Sequence, residues 1–410
     1  MKRYKITFLA SLGSCLEYYD FIIYSLLASF ISQQFFPSTN QVTALFATFG
    51  VFALSYVVRP LGGVILGIIG DRFGRKKVFA TTLLWMALAT SLMGIMPTYA
   101  TWGLTATILF SACRIIQGLV YGAEIPGALT LLSEHIDKKK HGLHFGFMVA
   151  AIGLGVAMGS GVTWLLTKTL TETELLAWGF RIPFLLGGCL AILGFYIRKH
   201  LPETPEFLTT KKTHTKITKT VVKNHLRSVF SVMGVLLFPA CLINLKLIFP
   251  TYLHNFYHFS FADIYSTMTI GYLASATMIP IFGWAADFIS KKFLIISAAL
   301  VMILFSFPVF SLLQTGAPWT LFTFMIFNQV VTAIMAASYF VLLPRAFQTV
   351  IRYTGTAFSY NITHTIAALL PLVINYIYGI QKNPSYLVWL FIGLATLTII
   401  STITFKTVDD

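Results

Sequence analysis

Apolar residues run through this chain in blocks too long for strands and too unbroken for surface helices. Twelve blocks stand out: 7–34, 41–69, 78–96, 102–132, 143–168, 179–199, 228–255, 262–286, 293–313, 317–343, 355–380 and 385–405. A helix rising 1.5 Å per residue crosses a bilayer in about 20 residues, and each block approaches or exceeds that length. The breaks between them are short and polar. Pro37-Ser38-Thr39-Asn40, Pro97 and Gly316-Ala317-Pro318 read as turns, and 70–77 and 137–141 as charged turns. Only 200–227 is long. It is rich in Thr and Lys and divides the blocks six and six. The pattern predicts an all-α membrane protein with twelve transmembrane helices. An N-terminal six-helix bundle spans 1–200, a cytoplasmic linker 201–227 and a C-terminal six-helix bundle 228–410.

Composition agrees with the pattern. Of 410 residues, 57% are hydrophobic and only 10% charged, against about 25% charged in soluble domains. So few charges cannot clothe a water-exposed surface, which excludes a cytosolic enzyme. The net charge of +15 suggests nucleic acid until the charges are placed. With the N-terminus inside, 23 of the 29 Lys and Arg fall in inner segments. They report topology and attraction to anionic headgroups, with no nucleic acid implied. The expected location is the bacterial inner membrane, multi-pass, with both termini cytoplasmic. The first block contains Glu17 and Asp20, which a cleaved signal peptide would not tolerate, so it reads as a retained span. Cys15, Cys113, Cys189 and Cys241 are too dispersed for a metal site and read as small hydrophobes.

The turn after the second block carries Gly67, Asp71, Arg75 and Lys76; 216 positions on stand Gly283, Asp287, Lys291 and Lys292. The same turn at the same place in each half predicts two pseudo-symmetric bundles, a plan known among transporters. Residues 67–77 (GIIGDRFGRKK) resemble the hallmark loop of the major facilitator superfamily. Further stretches resemble its metabolite:proton symporter family, which includes proline/betaine, shikimate, citrate and 2-oxoglutarate carriers. They are Leu16-Glu17-Tyr18-Tyr19-Asp20-Phe21, Arg59-Pro60-Leu61-Gly62-Gly63, Arg114-Ile115-Ile116-Gln117-Gly118, Gly122-Ala123-Glu124-Ile125-Pro126-Gly127, Arg181-Ile182-Pro183-Phe184 and Arg352-Tyr353-Thr354-Gly355. The matches run from about residue 13 to 371. The resemblance implies the major facilitator fold and a transporter, not an enzyme. Arg345, Ala367-Ala368 and Lys246 depart from the family's pattern.

An ionisable group at bilayer depth costs about 2.5–3.5 kcal/mol on insertion scales, so it must face a partner or a wet cavity. Glu17, Asp20 and Tyr24 recur at i, i+3 and i+7, on one helical face. Arg114, Gln117, Tyr121 and Glu124 share another. Asp20 and Arg114 are expected as near neighbours across a central cavity. They form either a permanent ion pair or a proton-trading carboxylate beside a cation that attracts substrate. Asp20, Glu17 and Glu124 are the candidates for proton coupling; residue spacing does not separate Glu17 from Asp20, and Glu124 can equally cap or gate the inner end. The candidate substrate ligands are Arg114, Lys246, Tyr24, Gln117, Tyr121, His364 and Asn361, with Gln329 and Asn375 able to line the same space. His364 can equally be a packing residue. Asp71, Arg72, Arg75, Lys76, Arg59 and Asp287 are expected to form an inner-side conformational latch. The pairs Gly63/Gly67, Gly118/Gly122 and Gly155/Gly159 should mark close helix contacts within the halves.

No phosphate-binding loop, catalytic triad or HExxH motif appears, and His135, His141 and His144 beside a Lys run do not make a metal site. No cofactor or metal is expected. The expected function is secondary-active, proton-coupled symport of a small organic solute bearing a carboxylate, such as an organic acid, amino acid or betaine. Alternating access would rock one half against the other, and a monomer is expected. Two alternatives stay open: proton-driven export of a metabolite or siderophore, and a transport-inactive sensor or partner-binding membrane protein.

Overall fold

The computed structural model describes residues 2–73, 75–199, 225–347, 352–381 and 385–406. All regular structure among them is helical. In chain order α1 is Lys2–Leu26 continued by Ala28–Phe35, α2 is Gln41–Val57 continued by Arg59–Phe73, and α3 is Arg75–Ile95. α4 is Leu104–Tyr121 continued by Glu124–His135, α5 is His141–Thr169 and α6 is Arg181–Lys199. The second half comprises α7 (Leu226–Tyr257), α8 (Phe261–Phe288), α9 (Lys291–Leu313), α10 (Pro318–Arg345), α11 (Arg352–Ala368 continued by Leu370–Gln381) and α12 (Ser385–Thr404). Each begins and ends within a few residues of its apolar block. Ten are long and apolar enough to cross a membrane by themselves. α6 joins the short helices of Glu172–Gly179 at a 41° bend, and the apolar part of α3, Thr81–Ile95, is shorter. The expected linker lies almost wholly outside the described residues.

Local chemistry sets the helix ends. Asn40 starts α2 by accepting from the Val42 amide at 2.8 Å, and Ser260 starts α8 by accepting from the Asp263 amide at 3.1 Å. Gly316, at φ +68°, turns the chain between α9 and α10.

Within the first half α1 packs on α5 and α6, α3 on α6 and α2 on α4. Within the second α7 packs on α11 and α12, and α10 on α8 and α9. The halves meet along α5–α8 and α2–α11, with α1 also touching α7. Without a hydrophobic force between helices in lipid, such contacts depend on small residues and interhelical hydrogen bonds. The expected glycine contacts appear at Gly63, Gly118, Gly122, Gly155 and Gly159, while the surroundings of Gly67 lie outside the described residues. A Cβ on Gly118 would lie 2.1 Å from the Ser55 carbonyl oxygen, and one on Gly155 would lie 2.3 Å from that of Cys15. Gly118→Val should therefore push α4 off α2. Overpacking costs about 1–3 kcal/mol, and a backbone obstacle that cannot rotate away puts this case at the upper end. Gly50, with nothing within 4 Å of a built Cβ, should accept Ala with unchanged or raised stability. Thermal unfolding of the two variants in detergent checks the contrast; equal melting points would refute it.

Candidate translocation site

The helices that cross at the centre break there. α2 is interrupted at Val58 and α4 at Gly122-Ala123. The two breaks face each other, since a Cβ on Gly122 would lie 2.0 Å from the Arg59 carbonyl oxygen. Broken helices at mid-membrane expose backbone polar groups where a transporter can use them.

Asp20 is 1% exposed. Its Oδ2 accepts from the Thr90 hydroxyl on α3 at 2.7 Å, while Oδ1 has no hydrogen-bond partner and lies against Gly187 of α6. Arg114 is fully buried. Its Nη1 donates to the Phe21 carbonyl at 2.9 Å and to Gln117 Oε1 at 3.0 Å. Gln117 Nε2 in turn donates to the Thr90 hydroxyl at 2.7 Å. Asp20 and Arg114 lie within electrostatic reach of each other without a direct hydrogen bond. They are joined through Gln117 and Thr90, because Asp20 points between α3 and α6 while Arg114 points back at the backbone of α1. The resulting row, Arg114–Gln117–Thr90–Asp20, ties three helices together. The Arg114 guanidinium also lies 4.1 Å from the Phe21 ring centroid and 4.6 Å from that of Tyr24, yet its Nε and Nη2 remain without hydrogen-bond acceptors.

Tyr24 is held by a 2.9 Å bond from its hydroxyl to the Thr48 carbonyl, so it packs within the first half. Tyr121 stacks near Phe21, with centroids 4.6 Å apart. Glu17 is buried and lies within electrostatic reach of Tyr121 and Tyr360. Glu124 accepts from the Thr82 hydroxyl and follows the break in α4. Arg59 was grouped with the inner turn by its place near the end of the second block. Its guanidinium instead sits 3.4 Å from the Tyr56 centroid, 4.2 Å from Tyr121 and 4.3 Å from Phe21, in a buried aromatic cage. The side chains of Asp71, Arg72, Arg75 and Lys76 lie outside the described residues.

In the second half, Lys246 is 3% exposed. Its Nζ donates to Gln329 Oε1 at 3.0 Å and to the Thr332 hydroxyl, and it lies 5.9 Å from the Tyr272 ring centroid. These partners are neutral. His364 meets Asn244 at 3.4 Å and packs 4.3 Å from the Tyr360 ring. Asn361 Nδ2 reaches across the halves to the Gly122 carbonyl at 3.0 Å.

The halves touch at both ends. At one, Asp287 of α8 accepts from the backbone amides of Gly142 and Leu143 at 2.7 and 3.1 Å. A carboxylate here satisfies the first amides of α5 and complements its dipole. At the other, Ser29 bonds Thr251 at 3.2 Å, Tyr265 donates to the Leu26 carbonyl, and Ser160 meets Thr269 at 2.9 Å. Between these contacts Asp20, Arg114, Arg59 and Lys246 are all buried.

Two bundles of six helices, in contact at both ends around buried charge, fit a transporter, and comparison with known proteins agrees. The family model of the Major Facilitator Superfamily matches residues 10–370. This chain belongs to that superfamily. A proline/betaine transporter of Salmonella typhimurium is 29% identical over 94% of this chain and 81% of its own length. The inner membrane metabolite transport protein YhjE of Escherichia coli is 29% identical over 97% and 93%. A putative proline/betaine transporter of Staphylococcus haemolyticus is 32% identical over 93% and 84%. These relatives place the chain with the superfamily's metabolite symporters. Among solved structures, the partially occluded inward open xylose transporter XylE of E. coli superposes with a TM-score of 0.80 at 18% identity, covering 100% of this chain and 99% of that one. That likeness shows the shared fold.

Sequence reasoning missed Thr90, Thr332 and the Phe21–Tyr56 cage. A threonine or aromatic residue within an apolar helix carries no periodic or charge signal, and only its neighbours across helices reveal a role.

Proposed function

We propose that this superfamily transporter couples inward proton flow to uptake of a small solute bearing a carboxylate. The chain sits in a bacterial inner membrane with both termini cytoplasmic and works as a monomer. The observation that supports this best is the row from Arg114 to Asp20. A buried carboxylate with one oxygen unpartnered is a costly anion, and a proton removes the cost. The same row ends in a guanidinium with two nitrogens unpartnered, so protonation of Asp20 and capture of an anion at the centre share one hydrogen-bonded path. Asp20 is the first choice for proton coupling, with Glu17 and Glu124 as further carboxylates along the same half. Arg114, Lys246 and the polar groups of Gln117, Tyr121, Asn361 and His364 make the layer polar. Tyr24 supports Arg114 from behind. The Asp287 contact, and by the repeat the 71–76 turn, form the cytoplasmic latch.

Coupling requires that solute and proton each favour the same state, since a ligand shifts only states it binds differently. Purified protein in vesicles, loaded with candidate organic acids, amino acids and betaines under an imposed pH gradient, tests the proposal. Uptake that follows the inward proton gradient and stops with an uncoupler supports symport. Efflux driven by the opposite gradient would make the protein an exporter, and solute binding without movement in either direction would defeat the transport reading.

A further inference from the structure

The proposed function leaves Arg59 unused and gives Phe21 no role. The Arg59 guanidinium lies 3.4 Å from the Tyr56 ring centroid, 4.2 Å from that of Tyr121 and 4.3 Å from that of Phe21. The Arg114 guanidinium lies 4.1 Å from the Phe21 centroid, 4.6 Å from that of Tyr24 and 5.3 Å from that of Phe52. Among the described residues, Phe21 is thus the ring that both cations share. It is fully buried.

A buried charge is costly unless something compensates it. A carboxylate would do so by accepting the guanidinium's N–H groups. Here those groups stay unspent, because Nε and Nη2 of both arginines have no hydrogen-bond partner. The acceptors that Nη1 of Arg114 does use, the Phe21 carbonyl and Gln117, are neutral. The face of an aromatic ring attracts a cation through its quadrupole and presents no acceptor atom. It therefore offsets the charge and leaves the donors open.

The protein holds a competitor for those donors. Asp20 precedes Phe21 on α1, lies within electrostatic reach of Arg114 and has Oδ1 unpartnered. Successive side chains on a helix point about 100° apart. Asp20 accordingly meets Thr90 of α3, while the Phe21 ring meets Arg59 of α2 and Arg114 of α4.

We propose that Phe21 is a positioning residue of the solute site, its ring holding Arg59 and Arg114 in place of a carboxylate so that their open N–H groups are kept for the solute. This rests on the reading of the protein as a carrier of carboxylate-bearing solutes, and it places Arg59 in the same site as Arg114. With the ring's attraction removed, the guanidiniums turn to the protein's own carboxylate and the solute loses its donors.

The test replaces Phe21 in the full chain with phenylalanines bearing one, two and three ring fluorines. These nearly keep the ring's shape and progressively remove the negative charge of its face. Binding of acetate, succinate, proline and glycine betaine is measured by thermal shift in detergent. For each probe that the wild type binds, affinity should fall with every fluorine, reaching about tenfold at three, the scale of one desolvated cation–π contact. The same series at Phe110, a buried ring stacked on Phe35, should leave affinity unchanged. Phe21→Leu should bind at least as weakly as the trifluorinated protein; should it fail to fold, the fluorinated proteins decide. A flat series at Phe21, a rise in affinity with fluorine, or an equal fall at Phe110 overturns the role of the ring while carboxylate symport stands. If the wild type binds none of the four probes, the carboxylate reading falls and the role of Phe21 falls with it.

Discussion

An Asp20→Asn protein in vesicles will equilibrate its solute across the membrane but will not accumulate it. The amide copies the size and neutrality of a protonated carboxyl and can still accept from Thr90, whose hydroxyl lies 2.7 Å from Oδ2. The fold and the solute site should therefore survive. What disappears is the alternation between charged and neutral forms that makes the carrier's preferred facing depend on pH. One pH unit is worth 1.36 kcal/mol, so a gradient of about one unit supports about tenfold accumulation by a one-proton symporter. The wild type should approach that ratio and the variant should stay near one, while counterflow exchange continues in both. Gly187→Ala should disturb the same carboxylate, because a Cβ there would come within 2.8 Å of Asp20 Oδ1. If Asp20→Asn accumulates solute like the wild type, coupling belongs to another carboxylate, with Glu17 the next to replace.

The second large effect is expected at the latch. Gly283→Leu should stop turnover while leaving equilibrium solute binding measurable. A Cβ on Gly283 would stand 2.5 Å from the Gly142 carbonyl oxygen and 3.1 Å from Gly146 Cα. Both obstacles are backbone, so α5 and α8 must part at this end, and a carrier that cannot close one side cannot alternate. Labelling of cysteines introduced beneath the latch should rise to that of an always-open protein. Asp287→Asn is the milder change. It keeps an acceptor for only one of the Gly142 and Leu143 amides, which bond different carboxylate oxygens, and it loses the charge opposite the helix dipole, an effect of about 0.3–1 kcal/mol by itself. The dipole effect alone is about a two- to fivefold shift toward the open state and the lost hydrogen bond adds to it, visible as partial labelling with slowed transport. Wild-type turnover in Gly283→Leu would show that the α5–α8 closure is not part of the cycle.

The pairing of Asp287 with α5 gives the repeated turn a physical meaning. The recurrence of Gly67 and Asp71 as Gly283 and Asp287 marked a feature shared by both halves. The structure adds that the second copy caps a helix of the opposite half.

The twelve helices, their six-and-six division and the scarcity of intramembrane charge were all legible in the chain. Hydrocarbon admits only helices with their backbone bonds satisfied, so length and apolarity alone mark a span, whatever its neighbours. The same economy singled out Glu17, Asp20, Arg114, Glu124 and Lys246, because a charge at that depth must have a use. Direction was another matter. Helical spacing put Glu17, Asp20 and Tyr24 on one face, yet Asp20 bonds Thr90 on α3 while Tyr24 bonds the backbone of α2. Arg59, expected at the inner latch, fills an aromatic cage. Spacing along one helix tells which residues lie near each other on it. The breaks at Val58 and Gly122 were written in the chain, since Pro60 and Pro126 carry no amide hydrogen for the carbonyls of Tyr56 and Gly122. What each residue touches depends on how neighbouring helices cross, and only that crossing brings Thr365 and Asn361 of α11 to those two carbonyls.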